Sequence, residues 1–115
     1  GSASLRNGLA ANQRTEALNL AQSQIELLSN AQTNDPNFAS KYQVGTPYCI
    51  NTDGTKNTSV GADQLCANFN GSTYNVGISY ASSTKVFTIT AQWNSTDGPG
   101  GKSKLNLYYK LPGSY

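Results

Sequence analysis

Apolar and polar residues follow two different periods along this chain, and the change of period divides it. In the first quarter Ala11, Leu18, Ala21, Ile25 and Leu28 recur at spacings of three, four or seven, which places them on one face of a helix. Leu20 and Leu27 widen that stripe, while Arg6, Asn12, Gln13, Glu16, Asn19, Ser23 and Glu26 lie mostly elsewhere. Ala, Leu, Gln, Glu and Arg dominate the stretch and favour the helical state. The spacing therefore predicts a helix from about Ser4 to about Asn30. Its first half is weaker, with Leu5 and Leu9 alone among small and polar residues and Gly8 lowering propensity. Asn30, Asn34, Asp35 and Pro36 crowd its end and supply the stop.

From Tyr74 the period becomes two. Tyr74, Val76, Ile78 and Tyr80 alternate with polar or small residues. Phe87, Ile89, Ala91 and Trp93 alternate with Thr88, Thr90 and Gln92. Leu105, Leu107, Tyr109 and Leu111 alternate with Asn106, Tyr108 and Lys110. Each run reads as a strand with one face on a core. Ala81–Thr84 and Asn94–Ser103 read as the turns between them. Residues 31–72 are punctuated by Pro36, Gly45, Pro47, Asp53-Gly54, Gly61 and Asn70-Gly71 and read as a loop-rich connection. Within it a short extended pairing is expected at Pro47–Ile50 and a helical turn or two at Ala62–Phe69.

The fold class that follows is α+β. A long N-terminal helix (3–30) packs on a C-terminal antiparallel meander of three to four strands (73–115), joined by the connection 31–72. Residues 3–115 form one domain, which is the expectation for a chain of 115 residues. Gly1-Ser2 reads as a scar of tag removal and is set aside.

Cys49 and Cys66 both fall in the connection. Two cysteines in a small domain rich in Asn, Ser, Thr, Gln and Gly are expected to pair, pinning the loop and placing the protein outside the cytoplasm; two buried free thiols are the alternative. The low charged fraction, 12%, points the same way.

Net charge is +2 and the basic residues are spread along the chain, so no nucleic-acid partner is expected. No apolar run approaches the ~20 residues needed to span a bilayer. The chain has no His, hence no His-based triad, base or metal ligand. Of the six carboxylates, Glu16 and Glu26 are ten residues apart, too far for an acid–base pair. No enzyme, cofactor or catalytic residue is expected. Asn51–Thr55 has a faint likeness to a calcium loop but lacks the later acidic ligand, so it reads as a plain turn; Asp97 in the later turn is equally thin evidence, and no metal is expected. Tyr74, Tyr80, Phe87, Trp93 and Tyr109 read as core and sheet residues rather than a conducting stack.

This layout, with "NQRTEALNLAQSQIELL" (Asn12 to Leu28), resembles the type IV pilin superfamily, particularly minor pilins and secretion pseudopilins. Arg14, Glu16, Ala17, Leu20, Ala21 and Glu26 carry the resemblance, and "ITAQWNSTDGPGGKSKLNLYY" (Ile89 to Tyr109) is similar to the hairpin that closes several such proteins. The resemblance implies a structural subunit of a bacterial surface filament, a pilus or a periplasmic pseudopilus. Such a subunit is anchored in the inner membrane by an apolar helix half preceding the residues seen here, then assembled with other pilin subunits. Arg14, Glu16 and Glu26 are the expected subunit contacts, and the domain without its anchor is expected to be monomeric. The cysteine position departs from many pilins, which bound a C-terminal loop with theirs. A surface binding or adhesion module, recognising carbohydrate, a surface or DNA through its loops, is the alternative.

Overall fold

The computed structural model describes residues 2–58, 65–67, 69, 73–94 and 101–111, with side chains from Gln13 onward. Helix α1 (Ser2–Asn34) is followed by a short helix α2 (Phe38–Tyr42), a two-stranded hairpin β1 (Cys49–Ile50) and β2 (Lys56–Asn57), and a three-stranded sheet of β3 (Asn75–Ala81), β4 (Val86–Asn94) and β5 (Lys102–Tyr109). All pairings are antiparallel and the larger sheet has the order β3-β4-β5. The chain is therefore α+β, a long helix laid on a meander.

Helix α1 runs further than its apolar pattern, through Gly8 and on to Asn34. Pro36 stops it, because the residue before a proline is driven away from helical geometry. The Asp35 N–H still closes the last turn on the Ala31 carbonyl at 2.8 Å. The Asp35 carboxylate then accepts hydrogen bonds from the Asn37 N–H at 2.8 Å and from Lys41 Nζ at 3.0 Å, which opens α2. Those two partners, the amide first and the ammonium second, hold the Asp35 carboxyl below its ordinary pKa. Sequence pattern did not foresee α2, since five residues are too few to show a period.

The buried ridge of α1 is Ala17, Ala21, Gln24 and Leu28, at helical spacing, with Leu18, Leu20, Ile25 and Leu27 half-buried beside it. Two alanines with no exposed surface let the helix backbone approach the sheet closely. Gln24 joins the ridge because its amide imitates a strand. Its Nε2 donates to the Ile50 carbonyl at 2.9 Å and its Oε1 accepts from the Ile50 N–H at 2.8 Å. Both backbone groups of the fully buried Ile50 are thus satisfied by one side chain.

The core divides in two along α1. One cluster gathers Ala21, Leu28, Phe38, Tyr42, Tyr48, Ile50, Ile78, Phe87, Ile89 and Leu111. The other gathers Ala17, Cys49, Cys66, Phe69, Tyr74, Val76, Ala91 and Trp93. The inward residues of β3 and β4 are those the alternation marked. The aromatic rings fill these clusters in pairs, Tyr80 on Phe87 at 4.7 Å and Phe38 on Tyr42 at 5.2 Å.

Cys49 and Cys66 form a disulfide. Around it the connection lies along the outer edge of β3: Tyr48 pairs with Ile78 and Cys66 with Val76 as isolated bridges, and the Tyr80 N–H donates to the Val44 carbonyl at 3.0 Å. The helical turns expected over Ala62–Phe69 lie largely outside the described residues, as do the turn around Asp97 and the tail after Leu111; within the first, Cys66 is bridged to Val76 and Phe69 has a 3-10 helical backbone.

Asn51–Thr55 is the turn of the β1–β2 hairpin. Asp53 Oδ1 accepts from the Thr55 N–H at 3.0 Å and from the Thr55 hydroxyl at 2.6 Å, and Gly54 takes φ +89°. The glycine is needed there, because an L side chain is strained at that φ.

Candidate functional site

Three features of the surface bear on function: the helix face expected to contact other subunits, the clefts at the lower end of α1, and the pinned connection.

Arg14, Glu16 and Glu26 are all exposed on α1. Ten residues of helix separate Glu16 from Glu26, about 15 Å along the axis. The upper two are tied to the sheet. The Arg14 guanidinium lies 5.9 Å from the centroid of the Trp93 ring, and the Tyr74 hydroxyl donates to Glu16 Oε2 at 2.8 Å. Tyr74 and Trp93 themselves pack at 5.8 Å between centroids. A single ring pair, one ring just before β3 and one from the end of β4, is thus clasped by two charged residues two positions apart on α1. A cation over an indole at an exposed site contributes about 0.5–1 kcal/mol.

The clasp has an electrostatic signature. Desolvation at its buried position, and then the hydrogen bond to Glu16, push the Tyr74 hydroxyl up to about 12. Sequence reading missed this partnership. Glu16 and Tyr74 are 58 residues apart, and nothing in either local pattern links them.

Glu26 stands apart from the clasp. With Ile25, Ser29, Asn30 and Tyr109 it lines a shallow groove between α1 and β5. A larger open cleft lies where α1 ends, between Asn30 and Asn34 on the helix, Asp35 and Lys41 around α2, and Thr52–Gly54 of the hairpin turn. Its two carboxylates are engaged locally, Asp35 with Asn37 and Lys41, Asp53 with Thr55. Among the described residues no three His, Cys, Asp or Glu side chains gather closely enough to hold a metal ion.

The connection is anchored by a second cation. Lys56 Nζ donates to the Lys41 carbonyl and lies 5.1 Å from the centroid of Tyr48 and 5.9 Å from that of Tyr42. The Tyr48 hydroxyl in turn donates to the Tyr42 carbonyl at 2.7 Å, and burial, with Tyr42 nearby, holds that phenol protonated far above its ordinary pKa. The hairpin, α2 and β1 are therefore joined by charge, ring and hydrogen bond as well as by the disulfide.

No helix among the described residues is long and apolar enough to cross a membrane. Compared with protein-family models, with curated proteins and with solved structures, the chain matches none of them.

Proposed function

We propose that this chain is the globular domain of a structural filament subunit of the type IV pilin kind, carried into a bacterial surface filament by an apolar helix that precedes α1. The observation that carries the reading is the way α1 is used. It is a single helix of 33 residues, about 50 Å long, and among its described side chains, from Gln13 onward, the buried ones lie between Ala17 and Leu28. A helix about as long as the molecule's 53 Å long axis, laid by one face on a meander, is what a subunit needs if the helix also joins a bundle of helices.

Two further features support this. A radius of gyration of 15.1 Å exceeds the ~13 Å expected of a compact domain this size, so the molecule is elongated along the helix. The disulfide and the Lys56 contacts stiffen the loop between helix and sheet, the part a packed neighbour would touch. In this reading the mechanism is assembly. Glu26, exposed beside the α1–β5 groove, is the foremost contact to a neighbouring subunit, with Arg14 and Glu16 serving both the clasp on the sheet and the subunit surface.

The coding sequence upstream of Ala3 tests the reading. A short basic leader followed by about 20–25 apolar residues continuous with α1 is expected. A secretory signal cleaved just before Ala3 contradicts it.

A further inference from the structure

The cleft at the lower end of α1 brings together side chains that the fold itself does not use. The last turns of α1 contribute Asn30 and Asn34 to its lining, and the β1–β2 hairpin turn contributes Thr52 and Asp53. Leu27, Ala31 and Pro36 add apolar surface. Asn30, Asn34, Thr52 and Asp53 are all exposed, so each is open to a ligand.

Three properties define what could occupy it. First, its volume is about 560 Å³. Small-molecule sites run from about 300 to about 1,000 Å³, so the cleft has room for an organic ligand and is far too large for a single ion. Second, its hydrogen-bonding groups are uncommitted. Among the described residues the side-chain amides of Asn30 and Asn34 and the Thr52 hydroxyl have no partner within the chain. An amide offers one acceptor and two donors, which suits hydroxyl groups that both give and take a hydrogen bond. Asn30 and Asn34 are four residues apart on one helix, so their Cβ atoms lie about 5–6 Å apart, close to the width of one sugar ring. Third, the charge in the cleft does not favour an anion. Lys41 is paired with Asp35 at 3.0 Å, and Asp53 has no salt-bridge partner among the described residues. Asp53 Oδ1 is taken up by Thr55, and its Oδ2 accepts from no other residue among those described.

We propose that this cleft binds a neutral saccharide, a disaccharide unit or the end of a longer glycan. Ring hydroxyls would exchange hydrogen bonds with the Asn30 and Asn34 amides and with Thr52, and Asp53 Oδ2 would accept from another. The C–H face of a ring would rest on Leu27, Ala31 and Pro36. A peptide fits less well, because extended peptides are taken up by a sheet edge or by pockets for alternate side chains, and this lining is a helix end and a turn. A uronic acid brings a carboxylate toward Asp53 with Lys41 already engaged. The cleft belongs to the domain itself, so the inference does not depend on the filament reading.

The test is an amide chemical-shift titration of the isotope-labelled chain with three neutral disaccharides: lactose, mannobiose and diacetylchitobiose. At least one should give saturable shifts centred on Asn30–Asp35 and Thr52–Gly54. Its affinity should change by less than about twofold between low and physiological salt, because a neutral ligand has no charge attraction to screen. The double substitution Asn30→Ala, Asn34→Ala should weaken binding at least about tenfold through the lost hydrogen bonds. Both residues are exposed and alanine favours the helix, so the variant folds and its spectrum reports that it does. No saturable shift from any of the three sugars, shifts centred elsewhere, or equal binding by the double variant would each overturn the proposal. So would equal or tighter binding of digalacturonate, or the same shifts from calcium chloride alone.

Discussion

Gln24 shows how much one side chain can hold. Its amide closes both hydrogen-bonding groups of Ile50, which are otherwise cut off from water. Removing it strands a buried donor and a buried acceptor, each costing about 1–3 kcal/mol. Gln24→Ala is therefore expected to lower unfolding stability by about 2–4 kcal/mol in urea denaturation. A loss below half a kilocalorie would mean that β1 is held by other contacts. Tyr74 gives a residue-scale prediction in pH. Its folded pKa, raised to about 12, exceeds the ordinary value of 10.0, so the protonated phenol is favoured by folding. That contribution is whole below pH 10.0 and is lost as pH rises through 10.0 toward 12. Tyr74→Phe should be slightly less stable at pH 7, by about 1 kcal/mol for the lost hydrogen bond, and should lose less stability than the parent across the alkaline range. Parallel curves for the two proteins would sink the assignment.

At the scale of elements, the connection and its disulfide decide how the sheet edge is protected. The bridge spans 17 residues and brings Cys66 against β3, whose outer edge is thereby covered. Among the described residues no strand pairs with the outer edge of β5. Replacing both cysteines by serine frees a loop of that length and should cost about 3 kcal/mol. Thermal unfolding of the double variant, with and without reductant, measures it; a parent insensitive to reductant would contradict a bridge of that weight. The elements also show what sequence pattern can carry. The period-two runs marked β3, β4 and β5 to within about two residues and sorted Asn106 and Tyr108 onto the exposed side, because alternation is a property of each strand alone. The helical stripe found Ala21 and Leu28 but passed over Ala17 and Gln24. An alanine is too small to stand out in an Ala-rich helix, and a glutamine is buried only because Ile50 is there to meet it. Helix α2, the Lys56 contacts and the Glu16–Tyr74 bond were not legible, since each is made by residues distant in sequence or by a segment too short to have a period. The pairing of Cys49 with Cys66 was legible, because two cysteines allow one bridge.

For the whole molecule, the contacts that stabilise the domain are distinct from those proposed to assemble it. Arg14 and Glu16 lie against Trp93 and Tyr74, whereas Glu26 is exposed at the mouth of the α1–β5 groove. Glu26→Lys is expected to leave the melting temperature of the isolated domain within about 2 °C while reducing the yield of filaments from cells carrying the variant. A fall in melting temperature with normal filaments would place Glu26 in the fold and not in the contact. The most direct test of the central claim is mass spectrometry of filaments sheared from the source bacterium, counting peptides of this chain against those of other subunits. For a filament subunit, peptides from α1 through β5 are expected in the filament fraction, in bulk for a principal subunit or at roughly a few per cent for a minor one. Filament-bearing cells whose sheared fibres contain none of this chain would contradict it.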